Sequence, residues 1–198
     1  IPSVNGIPTQ VKWHPLDNNR FAIAGDDTTV DIWDVRAPKA AAKLPSQGYN
    51  LNMNWSPNGQ YIAVGNKNDI LSVYDTVANK LLIETKCSVE INEFNWSNNS
   101  DYLLLSTGTG GIDIVHLSIV DPPSINKITS ILAHTSNVYY LKVYRDNFDA
   151  RKCCIALGGS DYQLSVWDMN DMICKYTLPF ESDIRGLSIS NDGKYIAV

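Results

Sequence analysis

The chain has 198 residues, of which 44% are hydrophobic and 19% charged; that is enough apolar material for a core and too little charge for bulk disorder. Its 16 basic and 21 acidic residues give a formal net charge of −5. This argues against a strong nucleic-acid binder, because phosphate contacts need a concentrated basic surface.

In chain order, Val11–Trp13 reads as a strand, followed by a turn over residues 14–19 and a second strand, Phe21–Ala24. Residues 25–28 form a hairpin into Val30-Asp31-Ile32-Trp33-Asp34, where apolar and polar residues alternate with the period of a half-buried strand. Ala40–Leu44 supplies a fourth strand. The set then returns. Asn52–Trp55, the turn Ser56-Pro57-Asn58-Gly59, Tyr61–Val64, a hairpin over 65–69, Ile70–Tyr74 and Lys80–Glu84 form a second copy. Ile91–Trp96, Tyr102–Leu105, a hairpin over Gly108–Gly111, Ile112–Leu117 and Ile128–Leu132 form a third.

A fourth copy opens with Ala133-His134 and Val138. Its inner strand ends at Val143-Tyr144, and Cys153–Leu157, Leu164–Trp167 and Ile173–Leu178 follow. Ile184–Ile189 and the segment to Val198 begin a fifth. The apolar anchors Trp33, Tyr74, Val115 and Trp167 are spaced by 41, 41 and 52 residues (74 − 33, 115 − 74, 167 − 115). A period near forty that ends in Trp-Asp is the mark of β-propeller blades. The units fall at about 9–45, 50–86, 90–132, 133–179 and 183–198, with inner-strand anchors Trp13, Trp55, Trp96, Tyr144 and Ile189. The fold class is therefore all-β, with four-stranded antiparallel blades. About four and a half of an expected seven are present, because a blade cannot bury its faces alone. Extra length falls at His116–Lys127 and Arg145–Lys152, where insertions map to surface loops.

No apolar run is long enough for a membrane-spanning helix, and no secretory signal opens the chain. None of Cys87, Cys153, Cys154 and Cys174 forms a C-x-x-C pair, so they read as reduced thiols of an intracellular protein rather than zinc ligands. Gly108-Thr109-Gly110-Gly111 lies between two strands with no helix after it, so it reads as a hairpin and not a phosphate cradle. His14 and His116 have no ligand-spaced neighbours. His134, Asp161 and Trp167 fall in one unit and are expected to form a buried hydrogen-bond network. Asp27 stands six residues before Trp33, as Asp161 stands six before Trp167. A catalytic His134–Asp161 pair is disfavoured because the sequence places no nucleophile with it.

The repeat is identified as a member of the WD40 family. Within that family the chain resembles the WD-repeat subunits of the THO complex, through Trp13-His14-Pro15, Ile32–Arg36, Asn52 with Asn54–Gln60, Ile62–Asp69, Ala133-His134, Val166–Asp168 and Asp192–Lys194. The resemblance implies a nuclear, non-catalytic scaffold without cofactor or metal. Its partners would be the other THO subunits and an associated RNA helicase and export adaptor, with RNA met indirectly and no membrane. Partner contacts are expected on Asn66, Lys67, Asn68 and Asp69, on Asp121 and Ser124, and on Arg36. Phe21–Arg36, ending in Trp33-Asp34-Val35-Arg36, also resembles the box of cullin-RING ubiquitin-ligase substrate receptors, in which Arg36 would dock the adaptor. That is the alternative function.

Overall fold

The computed structural model describes residues 6–145 and 153–198. The first sheet holds β1 (Pro8–Trp13), β2 (Arg20–Gly25), β3 (Thr29–Asp34) and β4 (Ala42–Pro45), in that order. The second holds β5 (Asn50–Trp55), β6 (Tyr61–Asn66), β7 (Ile70–Asp75) and β8 (Lys80–Lys86). The third holds β9 (Ile91–Trp96), β10 (Tyr102–Thr107), β11 (Gly111–Ser118) and β12 (Ser124–Leu132). The fourth holds β13 (Val138–Arg145), β14 (Cys153–Gly159), β15 (Gln163–Asp168) and β16 (Ile173–Pro179). β17 (Ser188–Ile189) and β18 (Ile196–Ala197) form a further pair. The fold is all-β, built of four-stranded antiparallel sheets in which every strand pairs with its sequence neighbour, as the forty-residue repeat predicts.

These residues form two compact units, one up to Ser88 with Leu117–Ile125 and the other Val89–His116 with Asn126–Val198. In the first unit the core lies between the first two sheets. Ala22, Ala24, Val30, Ile32 and Leu44 meet Met53, Trp55, Ile62, Val64 and Tyr74. In the second unit Leu104, Ile112 and Ile114 of the third sheet meet Val138, Leu141, Ile155 and Leu157 of the fourth. The middle strands β6 and β10 are buried along both faces, so they appear in sequence as apolar runs rather than alternations.

One register recurs. Trp13, Phe21 and Trp33 stand opposite one another across the first sheet, and Trp55, Ile62 and Tyr74 across the second. Trp96, Leu103 and Val115 repeat it in the third, and Val143, Ile155 and Trp167 in the fourth. The fourth inner anchor is therefore Val143 and not Tyr144. Trp13, Trp55 and Trp96 each end their strand, whereas β13 runs two residues past its anchor. The inner strands β1, β5, β9 and β13 each carry a one-residue register shift near their start, which leaves Thr9, Leu51, Asn92 and Tyr139 as bulge residues.

The insertion expected over His116–Lys127 is mostly strand: β11 and β12 lengthen, and the turn between them is 119–123. Of the second insertion, Arg145 ends β13 and residues 146–152 lie outside the described residues.

The turns from first to second strand share a hydrogen-bond pattern in three sheets. Ser56 Oγ donates to Asn58 Oδ1, Gln60 N donates to the same oxygen, and Tyr61 N donates back to Ser56 Oγ. Ser97, Asn99, Asp101 and Tyr102 repeat this, as do Ser190, Asp192, Lys194 and Tyr195. The fourth residue of each turn is left-handed: Gly59 at φ 72°, Ser100 at 66° and Gly193 at 69°.

Candidate functional site

In the fourth sheet the β14–β15 hairpin carries Asp161, the segment entering β13 carries His134, and β15 carries Ser165 and Trp167 on one face. His134 Nδ1 lies 2.8 Å from Asp161 Oδ1, and His134 Nε2 lies 2.7 Å from Ser165 Oγ. Trp167 Nε1 donates to the same Ser165 Oγ at 2.8 Å, and Thr135 N donates to Asp161 Oδ2 at 3.0 Å. Indole to hydroxyl, hydroxyl to Nε2 and Nδ1–H to carboxylate is one consistent ordering of donors with a neutral imidazole. Burial alone would raise the Asp161 carboxyl. Hydrogen bonds from His134 and Thr135 outweigh burial and hold it below its ordinary value.

Ser165 is the member the sequence reading lacked. With it, the Asp–His–Ser order matches that of a nucleophilic triad. Yet Ser165 is only 2% exposed, and its oxygen sits between the imidazole and the indole, so no substrate carbonyl can approach it. The chain of bonds closes the hairpin and ties it to the inner strand. Its signal in sequence is local: a hydroxyl residue two before the Trp shares its face in a strand.

Asp27 and Trp33 hold the matching positions of the first sheet without a joining histidine. Asp27 accepts from the Thr29 hydroxyl at 3.2 Å, which also lies 3.0 Å from Asp31, and Asp31 pairs with Lys43 at 3.0 Å. Trp33 is 4% exposed, and among the described residues its Nε1 has no hydrogen-bond partner.

The residues expected to meet partners fall at two different ends of their sheets. In an up-and-down sheet, the first and third turns leave from one end and the middle hairpin from the other. Arg36 lies on the β3–β4 turn, while Asp121 and Ser124 lie at the β11–β12 turn; these turns leave by the first-and-third-turn end. Asn66–Asp69 form the β6–β7 hairpin at the opposite end. Asn66 is buried, and its Oδ1 accepts from Asn68 N and Ile70 N at 2.9 and 3.1 Å, so its side chain shapes the hairpin. Lys67 places its ammonium 3.1 Å from the Tyr49 ring centroid. Arg36 is 67% exposed and grips Asp34 through Nε at 2.8 Å and Nη2 at 2.5 Å, which holds the Asp34 carboxyl well below the usual range.

His116 stacks at a tilt on Tyr102 with centroids 5.0 Å apart. Thr107 Oγ1 accepts from Gly111 N across the glycine-rich hairpin. The four cysteines are free thiols, and burial pushes Cys153 up to about 11. Among the described residues, no cluster of three His, Cys, Asp or Glu side chains is placed to hold a metal ion.

Repeated four-stranded sheets in one register, each anchored on its third strand and one closed by the Asp–His–Ser–Trp chain, define a WD-repeat protein, and the chain belongs to that family. Residues 3–114, more than half of the chain, match the family model described as "Eukaryotic translation initiation factor eIF2A", and the chain belongs to the family which that model defines. It is similar to "THO complex subunit 3" of Arabidopsis thaliana, 31% identical over 95% of the chain and 57% of that protein. It is also similar to "WD repeat-containing protein AAC3" of Dictyostelium discoideum, 30% identical over 87% of the chain and 35% of that protein. "Cell division cycle 20.1, cofactor of APC complex" of Arabidopsis thaliana is 26% identical over 76% of the chain and 31% of that protein. The chain thus spans only part of the length of the curated relatives it matches.

Proposed function

We propose that the chain is part of a non-catalytic scaffold subunit of the THO assembly. In that role it joins other THO subunits, an RNA helicase and an export adaptor in the nucleus, and so couples transcription to messenger-RNA export. The observation that carries this reading is the match to THO complex subunit 3 along 95% of the chain, whereas the initiation-factor model matches residues 3–114. The geometry is compatible with it. The Asp–His–Ser chain is sealed from substrate, and exposed loops leave from both ends of the sheets. The net charge of −5 favours RNA contact through partners rather than directly. Total blade number is proposed as seven.

Arg36 is what separates this reading from that of a ligase receptor. Its guanidinium is engaged by Asp34 and exposed, so Arg36→Glu changes stability by no more than roughly 0.5 kcal/mol. At an adaptor interface the same change costs about 2 kcal/mol or more. Affinity purification of both forms from nuclear extract, with partners identified by mass spectrometry, tests the proposal. THO subunits are expected with both. A cullin adaptor recovered with the wild type and lost with Arg36→Glu, with THO subunits in neither, replaces the scaffold reading with the receptor.

A further inference from the structure

The outer strand of the third sheet is built unlike those of the other sheets. β12 runs for nine residues, against four for β4 and seven each for β8 and β16. It stands last in its sheet, and among the described residues no strand pairs with its outer edge. A strand edge is a row of backbone donors and acceptors that templates a further strand, and proteins guard such edges with charge, proline or brevity. β12 has none of these guards. Its one charged residue is Lys127, whose Nζ is drawn back onto β11, 2.7 Å from Oδ2 of the 8% exposed Asp113. Residues 127–130 are exposed, and Ile128 and Leu132 present 59% and 76% of their surface to solvent.

The strand also has nearly the same residue character read in either direction. Turned antiparallel against itself about Ile128, it sets Ile125 opposite Ile131, Asn126 opposite Ser130 and Lys127 opposite Thr129, with Ile128 facing its own copy. Apolar meets apolar, polar meets polar, and the two lysines stay apart. The remaining outer strands fail this comparison. β8 turned about Ile83 brings Lys80 onto Lys86 and Leu82 onto Glu84. β4 is short and ends in Pro45, and β16 turned about Tyr176 sets Ile173 on Pro179, which has no N–H to give.

From this symmetry we infer that β12 is a self-association edge, and that its occupant is the β12 of a second copy of this chain. A two-fold axis through Ile128 joins the two third sheets into one antiparallel sheet of eight strands. Such an interface is isologous, with each contact made twice. A strand of an unrelated protein would meet the same backbone groups, but it would not call for the near-palindrome about Ile128; a second copy does. A single strand edge is a small interface, so the pairing is reversible and depends on concentration. The inference does not depend on the THO reading, which concerns partners of other sequence.

The natural full-length protein is the material for the test, read by sedimentation equilibrium over a micromolar concentration series. A monomer–dimer equilibrium is expected for the wild type; a monomer throughout overturns the inference. Thr129 is exposed, and the register places it against Lys127 of the second copy. Thr129→Lys therefore makes two like-charge pairs, and Thr129→Glu makes two opposite-charge pairs. The dissociation constant is expected to rise roughly tenfold in the first and to fall in the second. Equal effects of both, or none, overturn the register and the inference with it. Ile128→Lys sets two lysines face to face on the axis and is expected to leave monomer only. Val77→Lys, at a 79% exposed turn residue away from β12, is expected to leave the dimer intact. Melting curves of each variant verify the fold. A dimer that survives Ile128→Lys in a folded protein overturns the inference. A monomeric wild type that carries another protein from nuclear extract, lost in Ile128→Lys, overturns it in favour of a partner's strand.

Discussion

The imidazole of His14 donates through Nε2 to the backbone oxygen of Gly59 at 3.1 Å, joining the first turns of the first two sheets. The tautomer follows from the other nitrogen, because Nδ1 accepts from Leu16 N and Asp17 N at 3.1 and 3.0 Å. The ring also meets Trp55 edge-on, with centroids 4.6 Å apart. Where the turns at Ser56, Ser97 and Ser190 use a serine, this one uses a histidine long enough to reach its neighbour.

Gly59→Ala tests that junction. Gly59 has φ 72°, and an added methyl would stand 2.4 Å from His14 Cε1. The left-handed conformation alone costs alanine about 1–2 kcal/mol, so thermal unfolding should shift down by roughly 2–4 °C for each kcal/mol. His14→Ala combined with Gly59→Ala should cost less than the sum of the two single changes, because the clash goes with the ring. Strict additivity would show that the ring and the glycine are not coupled.

Ser165→Ala should destabilise by about 1–3 kcal/mol, since it strands the Trp167 indole and the His134 Nε2 without replacing either bond. Urea unfolding measures it. Trp167→Ala removes the ring as well and should cost about 3–5 kcal/mol. If Ser165→Ala left the midpoint unmoved, the hydroxyl would not be the link between the two rings.

Acid should weaken the same network. The Asp161 carboxyl is held below the ordinary aspartate value in the folded state by its hydrogen bonds from His134 and Thr135. A depressed folded value gives stability that is fully present above the unfolded value and is lost as pH falls through the folded one. Wild-type stability should therefore drop below about pH 4 more steeply than that of Asp161→Asn, as read from urea midpoints across pH 2–6. Parallel curves would exclude Asp161 as a contributor.

Ser100 occupies in the third sheet the left-handed position that glycine holds in the second and fifth. Ser100→Gly should relieve that strain and stabilise by about 0.5–1 kcal/mol, net of the chain entropy glycine adds. A lowered melting point would mean that the Ser100 side chain makes contacts worth more than the strain.

The strands of the second and third sheets were legible because a tryptophan and a serine turn mark each inner strand. The fourth sheet misled at Tyr144, since alternation fixes which face a residue joins but not where its strand stops. The spacing predicts Trp13 as an anchor like Trp55, yet it is exposed: the same residue in the same register is buried only where a neighbour covers it. Ser165 carries no mark in the six-residue Asp–Trp spacing; only the same-face position two before the Trp points to it. The separation of Arg36 from Asn66–Asp69 follows from counting turns along an up-and-down sheet. Which of those loops meets a partner has no local signature, because exposed polar turn residues serve folding and binding alike.

The serine turns behave as a cassette. Ser56, Ser97 and Ser190 with Asn58, Asn99 and Asp192 carry the hydrogen bonds. The residue after that Asn or Asp only has to accept a left-handed backbone. The next position contributes its backbone N–H and has an exposed side chain, and there Gln60, Asp101 and Lys194 are neutral, acidic and basic in turn, Asp101 also accepting from Asn99 Nδ2 and Lys194 lying beside Asp192. Charge at these sites can therefore be rewritten by mutation without shifting strand register, so this end of the sheets can diverge in what it attracts while the scaffold beneath stays constant.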